Sequence, residues 1–176
     1  MNLQKLKRFF VAFIVTAGGA GFFPKAPGTA GTVMGVILVS VLRGTSLPIQ
    51  WGIFLCLFLL GWWASIEWSK LTQLKDAQTI VIDEVLGYWL TLLLLDQFFG
   101  PVFEFNARIV AAFIAFRIFD VIKPPPIRQL DRWGKKFEIG AVQSVMVTVD
   151  DLLAGVYATG SIVLLNDFLR LCMSRF

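Results

Sequence analysis

The longest uncharged run of the chain is the feature that most constrains its fold. Residues 44–66 carry no charge over 23 positions, and ~20 consecutive apolar residues are enough for a helix to cross a bilayer. The composition agrees, because 57% of the 176 residues are hydrophobic and only 16% are charged, whereas soluble domains have about 25% charged residues. We therefore expect an integral membrane protein.

Three further segments are apolar enough to be candidate transmembrane helices: residues 85–103, 108–122 and 152–166. Two shorter apolar pieces, 9–23 and 30–42, flank a turn rich in proline and glycine and are each marginal for a full crossing. Helices satisfy their own backbone hydrogen bonds inside a bilayer. The pattern thus predicts an all-α, polytopic membrane helical bundle with a broken or re-entrant helix near the N-terminus. The length leaves room for a single membrane-embedded domain, residues 1–176.

Positive charge is unevenly distributed among the loops. Lysine and arginine are concentrated before residue 9 and in the loops 67–84 and 123–149, while the turns 43–50 and 96–106 are poor in them. By the positive-inside rule, we place the N-terminus and the two basic loops in the cytosol. The basic start could alternatively belong to a signal peptide, although no convincing cleavage site precedes the proline-rich turn. The net charge of +4 suits an anionic lipid surface and does not indicate nucleic acid.

Two residue types narrow the chemistry. The chain has no histidine, which excludes Ser-His-Asp hydrolysis, histidine-ligated zinc and phosphohistidine intermediates. Cys56 and Cys172 lie in apolar sequence without the spacing of a disulfide or a metal site, and neither has an arginine six residues later as cysteine phosphatases do. We interpret both as packed thiols.

Acidic residues are few, and half of them are placed where they are costly. Of the 12 in the chain, six lie at the ends of apolar segments or in the loop between two of them, on the predicted cytosolic side: Asp83, Glu84, Asp120, Asp131, Asp150 and Asp151. Charges at membrane depth by default suggest function. Two adjacent pairs occur, each expected at a helix start, where a helix-dipole or capping role is the simpler explanation. Because neighbouring carboxylates repel, we favour a bound cation such as Mg²⁺.

Residues 21–32 form a turn with two prolines and three glycines. Gly28 permits close approach of the backbone, while Thr29 and Thr32 can cap the following helix, whose first N–H groups would face an anion. A tight helix connection with a threonine cap is the alternative interpretation.

Another polar element spans residues 116–132. Arg117 and Asp120 share a helix face and could simply form an ion pair. Pro124 disfavours helical geometry at Lys123, so the helix should end there, and the three prolines should keep the next segment stiff. This segment presents cations and an acid that could bind a phosphate: Lys123, Arg128, Asp131 and Arg132. A basic juxtamembrane loop is the alternative.

These elements, in this order, resemble the phosphatidylglycerophosphatase A family. The resemblance covers roughly residues 18–165 and depends on four motifs: Pro27-Gly28-Thr29-x-Gly31-Thr32, Asp83-Glu84-x-x-Gly87-x-Trp89, Phe116-Arg117-x-x-Asp120-x-x-Lys123-Pro124-x-Pro126-Ile127-x-x-x-Asp131-Arg132, and Asp150-Asp151-x-x-Ala154-Gly155. The chain departs from the family pattern at residues 140–149, where a glycine-rich stretch usually precedes the acidic pair.

The resemblance implies an Mg²⁺-dependent enzyme of the bacterial cytoplasmic membrane, multi-pass and with its active site facing the cytosol. It would hydrolyse the terminal phosphate monoester of phosphatidylglycerophosphate, an anionic phospholipid, to give phosphatidylglycerol. The implied catalytic acids are Asp83, Glu84, Asp120, Asp131, Asp150 and Asp151, and all of these except Asp131 are expected metal ligands. The implied phosphate-binding residues are Lys123, Arg128, Arg117, Arg132, Gly28, Thr29 and Thr32.

Two rival hypotheses remain at this stage. Intramembrane carboxylates and a broken helix also build the ion sites of small transporters. A CDP-alcohol phosphotransferase would likewise use Mg²⁺ and acids in the membrane, but its Asp-x-x-Asp-Gly motif is missing here. Release of inorganic phosphate from a lipid phosphate, with and without Mg²⁺, separates these possibilities.

Overall fold

The computed structural model describes residues 2–73, 78–100, 104–134, 136 and 141–174. Every regular element within these residues is helical, which confirms the predicted all-α class. The α-helices are α1 (Leu3–Val15), α2 (Pro27–Leu42), α3 (Leu47–Thr72), α4 (Ile82–Phe98), α5 (Phe105–Ile122), α6 (Ile127–Gly134) and α7 (Ala141–Met173), and a short 3₁₀ helix, Ala20–Phe22, lies between α1 and α2.

Helix α4 is the central element of the fold. It packs against α2, α3, α5 and α7, and its side chains include the largest fully buried ones of the core, Trp89 and Tyr88. A helix that is apolar around most of its circumference is expected to be enclosed by other helices. The acidic start of α4 is therefore surrounded by neighbouring elements.

The helices around α4 alternate in direction. Helices α2 and α7 run parallel to it. Along α2, Gly31 lies beside Val81 and Gly35 beside Tyr88; along α7, Gly155 lies beside Gly87 and Thr159 contacts Thr91. Helix α3 runs the opposite way, and the indole Nε1 of its Trp51 donates to Oε1 of Gln97 at the far end of α4 (3.3 Å). Helix α5 returns from that far end towards the start of α4. The starts of α2 and α4 and the end of α5 consequently lie at one end of the bundle.

Helix α1 packs on the C-terminal half of α3. Val11 and Val15 are buried against Ala64, and Nζ of Lys7 lies 2.6 Å from Oε2 of Glu67. The backbone N–H of Val81 donates to the carbonyl oxygen of Val15 (2.8 Å). This bond connects the end of α1 to the residue immediately before α4.

The outer surface of the helices is strongly apolar. Two described helical segments, Leu47–Thr72 and Thr148–Met173, are long and apolar enough to cross a membrane, and Pro27–Leu42 is a shorter apolar helix. Val41 and Leu164 are 76% and 73% exposed. Large exposed apolar areas are rare in soluble monomers, so the surface agrees with membrane association.

Four local expectations are wrong. Helix α7 begins at Ala141, so the Asp150-Asp151 pair lies within a helix and not at its start, because residues 141–149 contain no glycine or proline to interrupt it. The segment after the prolines is the helix α6 rather than a stiff extended piece, since proline is well tolerated just before and in a first helical turn.

The threonine cap expected at the start of α2 is absent, because this helix begins at Pro27 and its N-cap residue, Ala26, makes no side-chain hydrogen bond. Both cysteines are exposed, because they lie on outward faces of α3 and α7.

Candidate active site

Three carboxylates converge where α4 and α7 meet. The first turn of α4 carries Asp83 and Glu84, and one oxygen from each lies within 4.8 Å of the others and of an oxygen of Asp151 on α7. We call Asp83, Glu84 and Asp151 the acidic triad. Asp83 and Asp151 are only 4% and 6% exposed. Three buried carboxylates this close repel each other strongly unless a cation or protons neutralise them.

One oxygen atom of the acidic triad is available to a ligand. Oε2 of Glu84 is buried and has no hydrogen-bond partner among the described residues. Buried polar atoms are nearly always paired, so an exception asks for an ion or a water molecule. Carboxylate oxygens are the ligands that Mg²⁺ prefers. The acidic triad therefore fits a divalent cation.

Two glycines bring the acids of α4 and α7 together. A Cβ atom on Gly87 would lie 2.6 Å from the carbonyl oxygen of Asp151, and one on Gly155 would collide with the carbonyl oxygen of Gly87. Asp83 and Asp151 each precede one of these glycines by four residues, which is about one helical turn. The close crossing at the glycines thus places the acids of both helices side by side.

The start of α2 forms another wall of the site. A Cβ atom on Gly28 would collide with Oε1 of Glu84 and lie 3.0 Å from Nη1 of Arg117, which confirms the close backbone approach predicted at this glycine. The first N–H groups of a helix have no partner within it. Because Gly28 lies against Glu84, the first N–H groups of α2 are at the edge of the acidic triad, where they can donate to an anion.

The other three site acids are all held in ion pairs. We call Asp120, Asp131 and Asp150 the paired acids. Arg117 pairs with Asp120, while Nζ of Lys123 donates to Oδ2 of Asp150 and lies 3.3 Å from Oδ1 of Asp131. The Asp150 side chain is only 1% exposed. Its other oxygen, Oδ1, is buried and has no hydrogen-bond partner within the described segments.

Lys123 joins three helices at this point. It caps α5, which ends where Pro124 predicts, in a left-handed conformation with φ +46°. Such a φ is uncommon for a residue other than glycine and often occurs at functional sites. Burial by itself lowers the pKa of Lys123, but the carboxylates of Asp150, Asp151 and Asp131 outweigh it and raise the pKa above its ordinary value. The side chain is therefore a fixed ammonium ion that connects α5 to α6 and α7.

Two arginines of α6 point outwards beside these pairs. Arg128 and Arg132 are exposed and, in the part of the chain that the structure describes, form no ion pair. Their spacing of four residues puts them on one helix face. Helix α6 packs on α7, and the hydroxyl of Tyr157 donates to the carbonyl oxygen of Pro125 (3.1 Å), holding the proline segment in place.

The structure thus brings most of the sequence-predicted residues to one end of the bundle. Thr32 differs from the others, because it is fully buried and its hydroxyl donates to the carbonyl oxygen of Gly28 (2.9 Å). Thr29 is half-buried in the first turn of α2. The threonines therefore do not cap α2.

Sequence reasoning assigned no role to the contacts that set the α4–α7 crossing. The hydroxyl of Thr91 is shared between the carbonyl oxygens of Gly87 in its own helix (3.1 Å) and Gly155 in α7 (3.3 Å). The hydroxyl of Thr159 is likewise shared between those of Gly155 (3.0 Å) and Thr91 (3.2 Å). The signal was present, because Gly87 and Thr91 and likewise Gly155 and Thr159 are four apart. Small residues at this spacing favour close helix packing in membranes.

The sequence matches a known family over most of its length. The family model of phosphatidylglycerophosphatase A matches residues 13–166. A phosphatidylglycerophosphatase A of Haemophilus influenzae is 37% identical over 162 residues, which cover 89% of this chain and 89% of that protein. The phosphatidylglycerophosphatase A of Escherichia coli K12 is 31% identical over 146 residues, covering 81% and 75% of the two chains.

A third relative has a different name. A Bacteroides thetaiotaomicron protein, provisionally named phosphatidylinositol-3-phosphatase, is 35% identical over 166 residues, covering 88% of this chain and 92% of that protein. No solved structure matches the chain. The family match spans the helices that carry the acidic triad and the paired acids, so the chain belongs to the phosphatidylglycerophosphatase A family and is a phosphatase.

Proposed function

We propose that this protein hydrolyses the terminal phosphate monoester of phosphatidylglycerophosphate in an Mg²⁺-dependent reaction, giving phosphatidylglycerol and inorganic phosphate. The observation that carries the proposal is the convergence of the acidic triad beside two fixed cations, Lys123 and Arg117. Family membership supports the substrate and favours an enzyme over the transporter alternative.

The acidic triad is the proposed metal site. Asp83, Glu84 and Asp151 offer oxygen ligands from two helices that the Gly87–Gly155 crossing holds in register. When bound, Mg²⁺ would activate a water molecule and stabilise negative charge on the phosphoryl oxygens. The unpartnered Oε2 of Glu84 and the low exposure of Asp83 and Asp151 support this assignment.

The phosphate-binding role falls to donors around the acidic triad. The first N–H groups of α2, at Gly28 and Thr29, can donate to phosphate oxygens, and Gly28 lets the backbone come close enough. Arg128 and Arg132, which form no ion pair among the described residues, can neutralise a phosphate that carries nearly two negative charges at neutral pH. Lys123 and Arg117 already hold acids, so we assign them chiefly to shaping the site.

The orientation in the membrane belongs to the same proposal. We propose a polytopic protein of the bacterial cytoplasmic membrane, with the acid-bearing end of the bundle facing the cytosol and the start of α2 entering as part of a broken helix. The apolar outer surface and the uneven loop charge support this orientation. A lipid phosphate would then reach the site from the cytosolic leaflet.

The substrate is tested by phosphate release from purified protein in detergent micelles. We expect release from phosphatidylglycerophosphate with Mg²⁺ and none with a chelator. Phosphatidylinositol 3-phosphate is the matched comparison, because of the name of the Bacteroides relative. A higher kcat/KM for the inositol lipid would replace the proposed substrate, and equal release with a chelator would refute the metal requirement.

A further inference from the structure

The six site carboxylates differ in what neutralises them. Among the residues the structure describes, no member of the acidic triad forms an ion pair with a cationic side chain. Each paired acid does: Asp120 with Arg117, and Asp131 and Asp150 with Lys123. Cationic side chains therefore neutralise the paired acids, whereas the carboxylates of the acidic triad have no such compensation among the described residues.

This division limits the number of metal ions. Phosphatases with two metal ions hold them ~3.5–4 Å apart, with ligands shared around both. Here a second ion beside the acidic triad would need oxygens of the paired acids. Lys123 already engages Oδ2 of Asp150 and Oδ1 of Asp131, and Arg117 engages Oδ2 of Asp120. The two cations thus engage one oxygen of each paired acid and supply positive charge that a second ion would otherwise supply.

Separating the Lys123 ammonium from Asp150 is energetically unfavourable. Its partner Asp150 is 1% exposed, and removing one member of a buried ion pair leaves an uncompensated charge. One oxygen of Asp150, Oδ1, remains without a partner in the described residues. This oxygen can accept a hydrogen bond from water or substrate, while the negative charge of Asp150 is already compensated by Lys123.

We propose that the site binds one divalent cation, at the acidic triad, and that Lys123 and Arg117 take the place of a second metal ion. The inference rests on the proposed Mg²⁺-dependent function and specifies which groups neutralise the carboxylates of its site. Lys123 is then a positioning residue that acts through Asp131 and Asp150.

Mn²⁺ is the probe for this proposal, since it replaces Mg²⁺ at oxygen sites and is paramagnetic. The full chain is dialysed against Mn²⁺ in detergent micelles, and bound ions are counted and recorded by electron paramagnetic resonance. We expect one ion per chain with the spectrum of an isolated Mn²⁺. Two ions per chain with an exchange-coupled spectrum would overturn the proposal, and this measurement needs no variant.

Three variants test the roles of the residues. Glu84→Gln should weaken Mn²⁺ binding at least tenfold, and unchanged binding would show that the ion lies elsewhere. Lys123→Gln removes the ammonium group from Asp131 and Asp150 and should admit a second, weaker ion, whereas Lys123→Arg keeps the charge and should bind only one ion. If the folded Lys123→Gln variant still binds a single ion, Lys123 does not replace a metal.

Phosphate release from phosphatidylglycerophosphate, measured on the same preparation, separates the two proposals. Release with two coupled ions would refute the single-ion site and leave the function intact. One bound ion without release from any lipid phosphate would refute the function and leave the single-ion site intact.

Discussion

At the scale of single residues, the site depends on which carboxylates lack a cationic partner. Glu84 is the clearest case, because its Oε2 is buried and unpaired within the described residues. Lys123 is the opposite case, a cation engaged by two acids. Arg128 is a third case, an exposed cation on α6, the helix that also carries Asp131. Each of these situations predicts a different response to substitution.

Glu84→Gln should abolish turnover while the protein stays folded. Loss of one ligand charge should lower kcat at least a hundredfold, equivalent to ~2.7 kcal/mol. Ligand binding stabilises a folded protein by ~2.7 kcal/mol at a hundred times Kd, so Mg²⁺ should raise the Tm of the wild type more than that of the variant. Glu104→Gln, on an exposed acid at the start of α5, is the control. An Mg²⁺ response equal to that of the wild type would contradict the assignment.

Lys123→Met should lower stability as well as activity. Breaking a buried ion pair costs about 3–5 kcal/mol, and we expect the lower end, because the Lys123 side chain keeps 27% exposure. Lys123→Arg should restore most of the stability, since it keeps a cation between Asp131 and Asp150. Denaturant unfolding measures the difference. A Met variant as stable as the wild type would show that the Asp150 pair contributes little.

Arg128→Met should lower kcat/KM at least tenfold, equivalent to ~1.4 kcal/mol, without changing stability. Arg128→Lys should recover only part of the activity, because a point charge replaces a planar, two-pronged donor. Gln129→Met, at an exposed neighbour on the same helix, is the matched control. Wild-type kinetics of phosphate release in the Arg128→Met variant would limit this arginine to setting membrane topology.

At the scale of elements, the site is a consequence of how closely α4 and α7 cross. The glycines at the crossing let the two backbones touch, and the hydroxyls of Thr91 and Thr159 reinforce the contact with hydrogen bonds to the facing helix. The acids lie one turn before the crossing. Any change in the distance between the helices therefore changes the distances within the acidic triad.

Gly155→Ala should damage both stability and activity, because the new Cβ meets the carbonyl oxygen of Gly87. Forcing extra volume into a packed contact costs about 1–3 kcal/mol, and separating the helices should weaken Mg²⁺ binding. Gly160→Ala is a matched control on the same helix, since nothing lies within 4 Å of its Cβ position. Equal Tm and equal Mg²⁺ dependence in the two variants would show that the crossing does not position the acids.

At the scale of the whole molecule, the two ends of the bundle differ in chemistry. One end holds the acidic triad and the paired acids, whereas the other holds the ion pair between Asp96 and Arg108 and the contact of Arg43 with the ring of Phe105. Asp83 and Asp96 lie 13 residues apart on α4, which is ~20 Å at a rise of 1.5 Å per residue. This separation is about two thirds of the ~30 Å hydrocarbon core of a bilayer.

Single reporters should locate both ends relative to the membrane. A reporter after Lys136 and one after Lys75, which lies outside the described residues, should both report the cytosol, and one near Asn106 the opposite face. The expectation follows from loop charge and from the antiparallel course of α4 and α5. Reporters at 75 and 136 on opposite sides would be incompatible with one cytosolic site.

The sequence by itself predicted most of the helical segments and named the candidate site residues. The uncharged segment 44–66 lies within α3, Pro124 ends α5 at Lys123, and Asp83 and Glu84 begin α4, as predicted. These features follow from local rules of hydropathy, proline geometry and helix dipoles, which act over a few neighbouring residues. The prediction that α7 begins at the Asp150-Asp151 pair was wrong for the same reason, because no residue near Asp150 indicates that the helix has already begun at Ala141.

Only the tertiary structure decided how the acids divide. Asp150 and Asp151 are adjacent in sequence, yet Asp151 joins the acidic triad and Asp150 meets Lys123. Successive residues point about 100° apart around a helix, so the rotation of α7 against α4 selects which acid faces which partner. That rotation is fixed by the contact between Gly87 and Gly155, which are far apart in sequence. Local sequence patterns therefore cannot predict how α7 is rotated against α4, because packing between distant segments determines that rotation.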